Sequence, residues 1–288
     1  MLKTFKKGGV HPAENKFSAN APIVTAELPK VAIIPLGQHI GAPASPLVQK
    51  GDEVKVGQLI AQSSGFVSAN IHTSVSGKVL KVDSAMDASG FSRQAVHITV
   101  EGDEWLETID RSPEIAKEIK ASAEEIIKKV QEAGIVGLGG ATFPSHIKLS
   151  VPPGKKAEVL LINGVECEPY LTADHRLMLE KGEEVLIGTK LLMMALGVNK
   201  AHVGIENNKP DAISHLKEIA KSYEGIEIVP LKVKYPQGGE KQLIKAVISV
   251  LIHLVMVFYL LVRVEYRLTS LEAVVVAVKE VQQLVLLK

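Results

Sequence analysis

Short apolar runs alternate with longer amphipathic stretches between residues 113 and 246. The apolar runs predict β-strands, and the stretches between them predict helices. The predicted strands are 159–163, 201–206 and 226–233, and the predicted helices between them are 180–196 and 210–222. Strands that alternate with helices form a parallel sheet with right-handed crossovers. This part of the chain therefore predicts an α/β domain.

A further helix is predicted over 113–133, before the first of these strands. Its apolar residues recur at helical spacing and alternate with Glu and Lys. Ser112 is a suitable N-cap, and Pro113 suits the first helical position because its missing N–H is not needed there.

Four loops of this domain carry polar residues or glycines. Three of them follow the predicted strands, at 163–170, 204–210 and 234–241, and the fourth is the glycine-rich turn 137–144. Glycine lets backbone N–H groups approach a ligand closely, and parallel sheets bind ligands at the carboxyl ends of their strands. We therefore expect the four loops to meet at one edge of the sheet. They predict a site for a flat, phosphate-bearing cofactor beside an acidic pocket.

Residues 1–112 have a different sequence pattern, in which short segments that favour β-strands are separated by Gly51, Gly57, Gly65 and Gly77. This pattern resembles the small β-sandwich that carries biotin or lipoate. Such carriers attach the group to a lysine at a hairpin tip, but the corresponding residues 68–72 contain no lysine. A carrier function is therefore not expected, and His72 is interpreted as an ordinary turn histidine.

Composition excludes several classes of protein. The chain has 288 residues, a net charge of +1 and one cysteine, Cys167. The balanced charge argues against nucleic acid as a partner, and a lone cysteine cannot form an internal disulfide. The N-terminal residues lack the apolar segment of a secretory signal peptide, which suits the reducing cytoplasm. His11 and His39 have no partners at metal-ligand spacing.

Seven long motifs follow one another along residues 1–246. They are GGVHPAENK, IPLGQHIGAP, GDEVKVGQ, GIVGLGGATFPSHIKL, NGVECEPYLTADHRLM, GIENNKPDAI and KYPQGGEKQLI. Together they resemble the C subunit of the Rnf-type electron transport complex. The middle part is in turn similar to the flavoprotein subunit of respiratory complex I. The resemblance implies a barrel-sandwich-hybrid-like β domain over 1–112 and a Rossmann-like domain over 113–246 that binds FMN and NAD(H).

The resemblance also implies which residues bind the cofactors. The glycine loop against the flavin would comprise Gly137, Gly139, Gly140 and Ala141, with Phe143, Pro144 and Lys148 in the same motif. Asn163 would face the isoalloxazine, and Glu166 and Glu168 would form an acidic pair where the nicotinamide docks. The loops around the ribityl phosphate and the flavin edge would contain Asn207, Asn208, Tyr235, Gly238 and Glu240.

The implied function is hydride exchange between nicotinamide C4 and flavin N5, in which no side chain need act as a general acid or base. The family's complex couples electron transfer between NAD(H) and ferredoxin to ion movement across a membrane. Its C subunit lies peripherally on the cytoplasmic face, so the expected partners are the other subunits and, indirectly, ferredoxin. Family members also carry two [4Fe–4S] clusters on runs of cysteines, which the single Cys167 cannot supply. Its position between two glutamates should raise its thiol pKa.

Residues 247–288 resemble neither the family nor the rest of the chain, since they contain no Gly or Pro. Three interpretations are open: a short transmembrane segment, a long buried helix, or the product of a shifted reading frame that replaces the authentic continuation. We favour the third, because the resemblance stops within a domain. The alternative to an electron-transfer subunit is then a truncated, non-catalytic product.

Overall fold

The computed structural model describes residues 2–87, 89–112, 115–138, 142–248 and 272–277. They form two compact units. The first consists of residues 2–23, 117–127 and the described part of 148–286, and the second of residues 24–116 and 128–147, less the undescribed residues among them. Residues 2–23 therefore share a unit with the α/β part of the chain, although their sequence pattern groups them with the β-rich domain.

A four-stranded parallel sheet is the centre of the first unit, with strand order β10-β9-β8-β11. The strands are β8 (Ala157–Gly164), β9 (Ala201–Glu206), β10 (Ile226–Leu231) and β11 (Glu272–Ala277). In β8, Leu160, Leu161 and Ile162 are all fully buried. Consecutive buried residues point to opposite faces, so both faces of this strand are covered, as is usual for a parallel sheet. The predicted parallel sheet is confirmed.

Four helices connect and follow these strands: α3 (Ala173–Glu180), α4 (Gly182–Leu196), α5 (Pro210–Ala220) and α6 (Glu240–Ile248). Gly197 ends α4 in the left-handed conformation, with φ of 64°, and Pro210 occupies the first turn of α5. The prediction of one helix from 180 to 196 is wrong at its start. The chain breaks at Lys181, and α3 precedes the break as a separate helix.

The second unit contains two antiparallel sheets, with strand orders β1-β7-β6-β3 and β2-β4-β5. The strands are β1 (Val31–Pro35), β2 (Ser45–Pro46), β3 (Glu53–Val54), β4 (Leu59–Gln62), β5 (Ile71–His72), β6 (Gly77–Met86) and β7 (Ser92–Val100). Leu36, Ile60 and Ile98 are fully buried in one apolar cluster to which both sheets contribute. The β-rich domain predicted from the glycine-punctuated pattern is confirmed. His72 belongs to strand β5 rather than to a turn, and burial lowers its pKa.

Two helices lie between the β-rich segment and β8 in the sequence: α1 (Ala123–Glu132) and α2 (Ser145–Leu149). The predicted helix over 113–133 therefore begins ten residues too early. The true start is a capping box, in which the Ser122 hydroxyl accepts from the Glu125 N–H at 3.2 Å and the Glu125 carboxylate accepts from the Ser122 N–H at 2.7 Å.

The expectations for residues 247–288 fall largely outside the described residues. Val247 and Ile248 are the last residues of α6, and Val247 is buried in the sheet's core. The backbone of β11 pairs in parallel with β8. Among the residues that the structure describes, no helix has both the length and the apolar character needed to cross a membrane.

Candidate functional site

Three of the predicted loops lie at the carboxyl edge of the parallel sheet. They follow β8, β9 and β10, which are adjacent and parallel, so their carboxyl ends share one edge. This part of the prediction is confirmed. Glycines in the third loop leave little free space, since a Cβ on Gly238 would lie 3.0 Å from the Val165 carbonyl oxygen. Gly238 therefore permits close packing of the first and third loops.

The glycine-rich turn belongs to the second unit. Its two ends are joined, because Gly137 donates its N–H to the Phe143 carbonyl at 2.9 Å and Val136 pairs with Pro144. Phe143 is buried and Lys148 is half-buried on α2. Gly139, Gly140 and Ala141 lie outside the described residues, so their approach to a cofactor stays a prediction.

The lysine-free tip of the β-sandwich holds the start of this turn within the same unit. Asn70 donates its amide to the Glu132 carbonyl at 3.0 Å. Gly134, with φ of 66°, approaches so closely that a Cβ there would meet the Asn70 carbonyl oxygen at 2.1 Å. The tip that carries a prosthetic group in carrier proteins is therefore a structural support here.

An N-terminal segment crosses the carboxyl edge of the sheet, and we call residues 10–18 the N-terminal strap. Val10 pairs with Tyr235, and the Glu14 carboxylate accepts from the Asn208 amide at 2.8 Å. The Lys16 ammonium donates to the carbonyls of Glu166, Glu168 and Leu171 at 2.7–2.8 Å. The strap thus reaches all three loops. The motif GGVHPAENK contributes to the family resemblance, but no residue of the strap was predicted to belong to the site.

A narrow cleft lies between the strap and the three loops. Its walls combine charged side chains of both signs with apolar and uncharged polar groups. The lining residues are His11, Pro12, Glu14, Lys16, Glu166, Cys167, Glu206, Asn208, Val233, Lys234 and Tyr235. Of the predicted cofactor-binding residues, the cleft brings together Glu166, Asn208 and Tyr235.

Glu206 is a buried carboxyl in this cleft that was not among the predicted site residues. Its Oε1 accepts from the Lys234 N–H at 3.2 Å, and the Lys209 ammonium lies 3.7 Å from Oε2. Oε2 has no hydrogen-bond partner among the described residues. Burial raises the pKa of Glu206, and Lys209 opposes that shift. The wall of the cleft therefore contains a buried carboxyl oxygen whose hydrogen-bonding capacity the described residues leave unused.

The predicted acidic pair does not form one acidic pocket. Glu166 is buried, and its carboxylate accepts from the N–H groups of Asp174 at 2.7 Å and His175 at 3.4 Å, at the start of α3. Glu168 is exposed, and its carboxylate accepts from the Tyr235 hydroxyl at 3.0 Å, which raises the pKa of Tyr235. One glutamate stabilises a helix N-terminus, and the other holds two loops together at the rim.

Asn163 and Asn207, two other predicted cofactor-binding residues, form hydrogen bonds with the backbone of the loops. The Asn163 side chain donates to the Gly238 carbonyl at 2.9 Å and accepts from the Val165 N–H at 3.1 Å. Asn207 is exposed, and its side chain accepts from the Val233 N–H at 3.1 Å. Both amides therefore make bonds that fix loop geometry. Glu240 begins α6.

Two family models match successive parts of the chain. Residues 3–104 match the RnfC barrel sandwich hybrid domain, and residues 130–254 match the Nuo51 FMN-binding domain. These are the two folds that the sequence motifs imply, in the same order. The second match extends seven residues beyond Val247, where the resemblance was expected to stop.

Curated relatives match across both domains. The C subunit of a proton-translocating ferredoxin:NAD(+) oxidoreductase complex from Clostridium ljungdahlii is 53% identical over 249 residues, covering 85% of this chain and 53% of the relative. The C subunit of the Na(+)-translocating complex from Acetobacterium woodii is 48% identical, covering 84% and 54%. The C subunit of an ion-translocating oxidoreductase complex from Rhodobacter capsulatus is 42% identical, covering 85% and 48%.

The chain belongs to the RnfC family over the region matched. It spans about half the length of the curated relatives that it matches. The FMN-binding model matches residues 130–254, which include strands β8, β9 and β10 and the loops that follow them. Seven of the eleven residues that line the carboxyl-edge cleft fall within that match, and the other four, His11, Pro12, Glu14 and Lys16, lie in the part that matches the RnfC barrel sandwich hybrid domain.

Cys167 lines the cleft of this domain and is half-buried. The pKa of its thiol is raised, chiefly by burial, and the charges of Glu206 and Glu168 add to the shift. The raised thiol pKa is confirmed, but its main cause is burial rather than the flanking glutamates. A raised pKa favours the neutral thiol, so Cys167 is not an activated nucleophile.

Proposed function

We propose that this chain binds NAD(H) and FMN as a subunit of a membrane-associated, ion-translocating ferredoxin:NAD(+) oxidoreductase complex. We also propose that hydride passes between the two cofactors in its α/β unit. The observation that carries the proposal is the match of residues 130–254 to an FMN-binding domain. The cleft at the carboxyl edge of the same sheet supports it, because parallel sheets bind ligands at that edge.

The acceptors of the cleft suit a polar cofactor that brings hydrogen-bond donors. Glu206 supplies a buried carboxyl oxygen that lacks a hydrogen-bond partner among the described residues. Such a group favours a ligand with hydroxyl or imide donors, and FMN has both. Asn208 and Tyr235, which line the cleft, would hold FMN. The other residues proposed to take part are Phe143, Lys148, Asn163, Glu166, Glu168, Asn207, Gly238 and Glu240.

FMN, when bound, supplies the acceptor for a nicotinamide hydride, and the chain supplies position and electrostatics. Glu166 fixes the first loop by capping α3, and Asn163 joins that loop to Gly238. Glu168 and Tyr235 form a hydrogen-bonded pair at the rim, where we place the nicotinamide. These contacts define the shape of the site without requiring a proton transfer by a side chain.

The remaining parts of the proposal concern the assembly. The partners are the other subunits of a membrane-bound complex and, through them, ferredoxin. The chain would lie peripherally at the cytoplasmic face of the membrane. Its one cysteine cannot ligate a [4Fe–4S] cluster. Electrons that leave the flavin therefore need a relay that these 288 residues do not contain.

Titration of the purified chain with FMN, followed by anaerobic addition of NADH, tests the proposal. We expect about one FMN per chain, with loss of the oxidised-flavin absorbance on adding NADH. Glu168→Gln should bind FMN normally and be reduced by NADH more slowly. Glu158→Gln, an exposed position on β8, is the matched control and should behave as wild type. A folded wild-type chain that takes up no FMN would refute the proposal.

A further inference from the structure

The Lys16 ammonium occupies the centre of the loop that follows β8. A lysine ammonium has three donors, and this one donates to the carbonyls of Glu166 at 2.8 Å, Glu168 at 2.7 Å and Leu171 at 2.7 Å. All three acceptors are backbone groups of one short loop, 150 or more residues away in sequence. The loop therefore wraps around a cation that another part of the chain provides.

The same loop contains a strained residue. Tyr170 has φ of 70°, in the left-handed region that disfavours residues other than Gly, Asn and Asp. Its N–H donates to the Glu14 carbonyl at 3.0 Å. The carbonyls of Glu168 and Leu171, which bind Lys16, lie on either side of it in sequence. A strained conformation persists only where its surroundings hold it, and here Glu14 and Lys16 of the strap do so.

This loop conformation determines where its side chains point. Glu168 accepts from the Tyr235 hydroxyl at 3.0 Å, and Tyr170 is 61% exposed, with its ring 5.9 Å from that of Phe17. If the loop relaxed, Tyr170 would leave the left-handed region, and the backbone on both sides of it would rotate. We expect loss of the strap contacts to shift both the Glu168–Tyr235 bond and the exposed Tyr170 ring.

We propose that Lys16 is a positioning residue that holds loop 165–171 in its strained conformation and so aims Glu168 at the rim of the cleft. Its effect on hydride transfer rests on the proposed function, whereas its effect on the loop does not. Neither methionine nor arginine at position 16 would reproduce this positioning role. Methionine has no donor, so the three carbonyls lose the ammonium that brings them together, and the planar fork of arginine does not match three acceptors around one point.

Hydrogen exchange in the flavin-free protein tests the loop directly. We expect Lys16→Met to speed exchange of the Tyr170 amide by about tenfold, because a charge-assisted hydrogen-bond network is lost. Lys16→Arg should not restore protection. Ser18→Ala is the matched control, since it removes the neighbouring strap bond between Ser18 and Thr172 but keeps the ammonium. The control should exchange at the wild-type rate at Tyr170.

A second variant distinguishes the loss of the Lys16 positioning contacts from a general destabilisation of the fold. Lys16→Ala leaves space for the missing part of the side chain, and propylammonium added to the buffer should restore the slow exchange of Tyr170. Trimethylamine N-oxide, which stabilises folded states without offering an ammonium donor, should not. If Lys16→Met leaves exchange unchanged, or if both additives restore it equally, the proposal is wrong.

Flavin measurements then connect the loop to the reaction. With FMN bound, Lys16→Met should slow reduction by NADH about tenfold, because Glu168 and its loop have moved. The FMN dissociation constant, measured separately, reports the loss of the Lys16 side chain from the wall of the cleft. If the wild-type chain binds no FMN, the proposed function fails, and hydrogen exchange still decides the role of Lys16. An unchanged reduction rate in a variant whose loop exchanges faster would overturn the link between Lys16 and Glu168.

Discussion

Single residues at the carboxyl edge have roles that their identity alone does not reveal. Glu166 and Glu168 are two positions apart, but one caps α3 and the other accepts from the Tyr235 hydroxyl. Glu206 is fully buried beside Lys209, and burial raises its pKa. In each case the neighbours of the carboxyl group, rather than the carboxyl group itself, determine what it does.

A prediction at this scale concerns Tyr223, which lies outside the cleft. Its hydroxyl donates to the Glu183 carboxylate at 3.3 Å, and burial together with that negative charge raises the pKa of Tyr223 to about 12. Because the raised pKa favours the neutral phenol in the folded state, the associated stability is complete below the ordinary pKa of 10.0. It is lost as the pH rises towards 12.

Alkaline titration of the phenolate absorbance near 295 nm should therefore include a late phase from Tyr223 in wild type, beside the contribution of Tyr235, whose pKa is also raised. Tyr223→Phe should lack that phase, and Glu183→Gln should move it to lower pH. A titration curve that Tyr223→Phe leaves unchanged above pH 11 would contradict the assignment.

The secondary-structure elements depend on their ends as much as on their periodic patterns. α4 ends at Gly197 in the left-handed conformation, and α5 begins at Pro210, as the sequence indicates. α1 begins ten residues after its predicted start, because the capping box of Ser122 and Glu125 outweighs the earlier Ser112-Pro113 signal. A periodic pattern shows that a helix forms, but its caps determine where it starts.

The capping box gives a prediction at the scale of the element. Ser122→Ala should lower the free energy of unfolding by about 1 kcal/mol, because the Glu125 N–H loses its acceptor. Ser122→Asn keeps a side-chain acceptor and should stay close to wild type. Urea denaturation followed by circular dichroism measures both, and an equal loss in the two variants would show that the hydroxyl does not act as a cap.

At the scale of the whole molecule, the two units have separate apolar cores. Leu161 is fully buried in the core of the parallel sheet, and Ile98 is fully buried in the β-sandwich. The carboxyl-edge cleft is formed entirely by residues of the first unit. The stability of that unit should therefore determine whether the cleft persists.

Leu161→Ala should destabilise the α/β unit by about 2–5 kcal/mol, because it removes buried methyl groups and leaves a cavity. Hydrogen exchange should rise in β8, β9 and β10. Leu2→Ala is the control, since Leu2 is 42% exposed and its truncation leaves no internal cavity. If both variants denature at the same urea concentration, Leu161 does not have the core role that its burial indicates.

The sequence by itself determined the fold class, the order of the two domains and the family. Hydrophobic alternation and glycine-marked turns are local properties, so β9 falls at its predicted residues and three loops reach one edge. The resemblance rests on seven motifs that are read directly from the sequence. None of these conclusions requires knowing which residues that are far apart in sequence are in contact.

Only the tertiary structure decided which side chains form the cleft and what each one contacts. Lys16 reaches the loop after β8 across about 150 positions of sequence, and Glu14 reaches Asn208 across 194. Asn163 and Glu166, predicted to face cofactors, bond mainly to the protein's own backbone. Contacts of this kind depend on loop conformation and on the path of the N-terminal strap. No local pattern encodes either of them, because both arise only when the packed sheet brings its carboxyl-edge loops together.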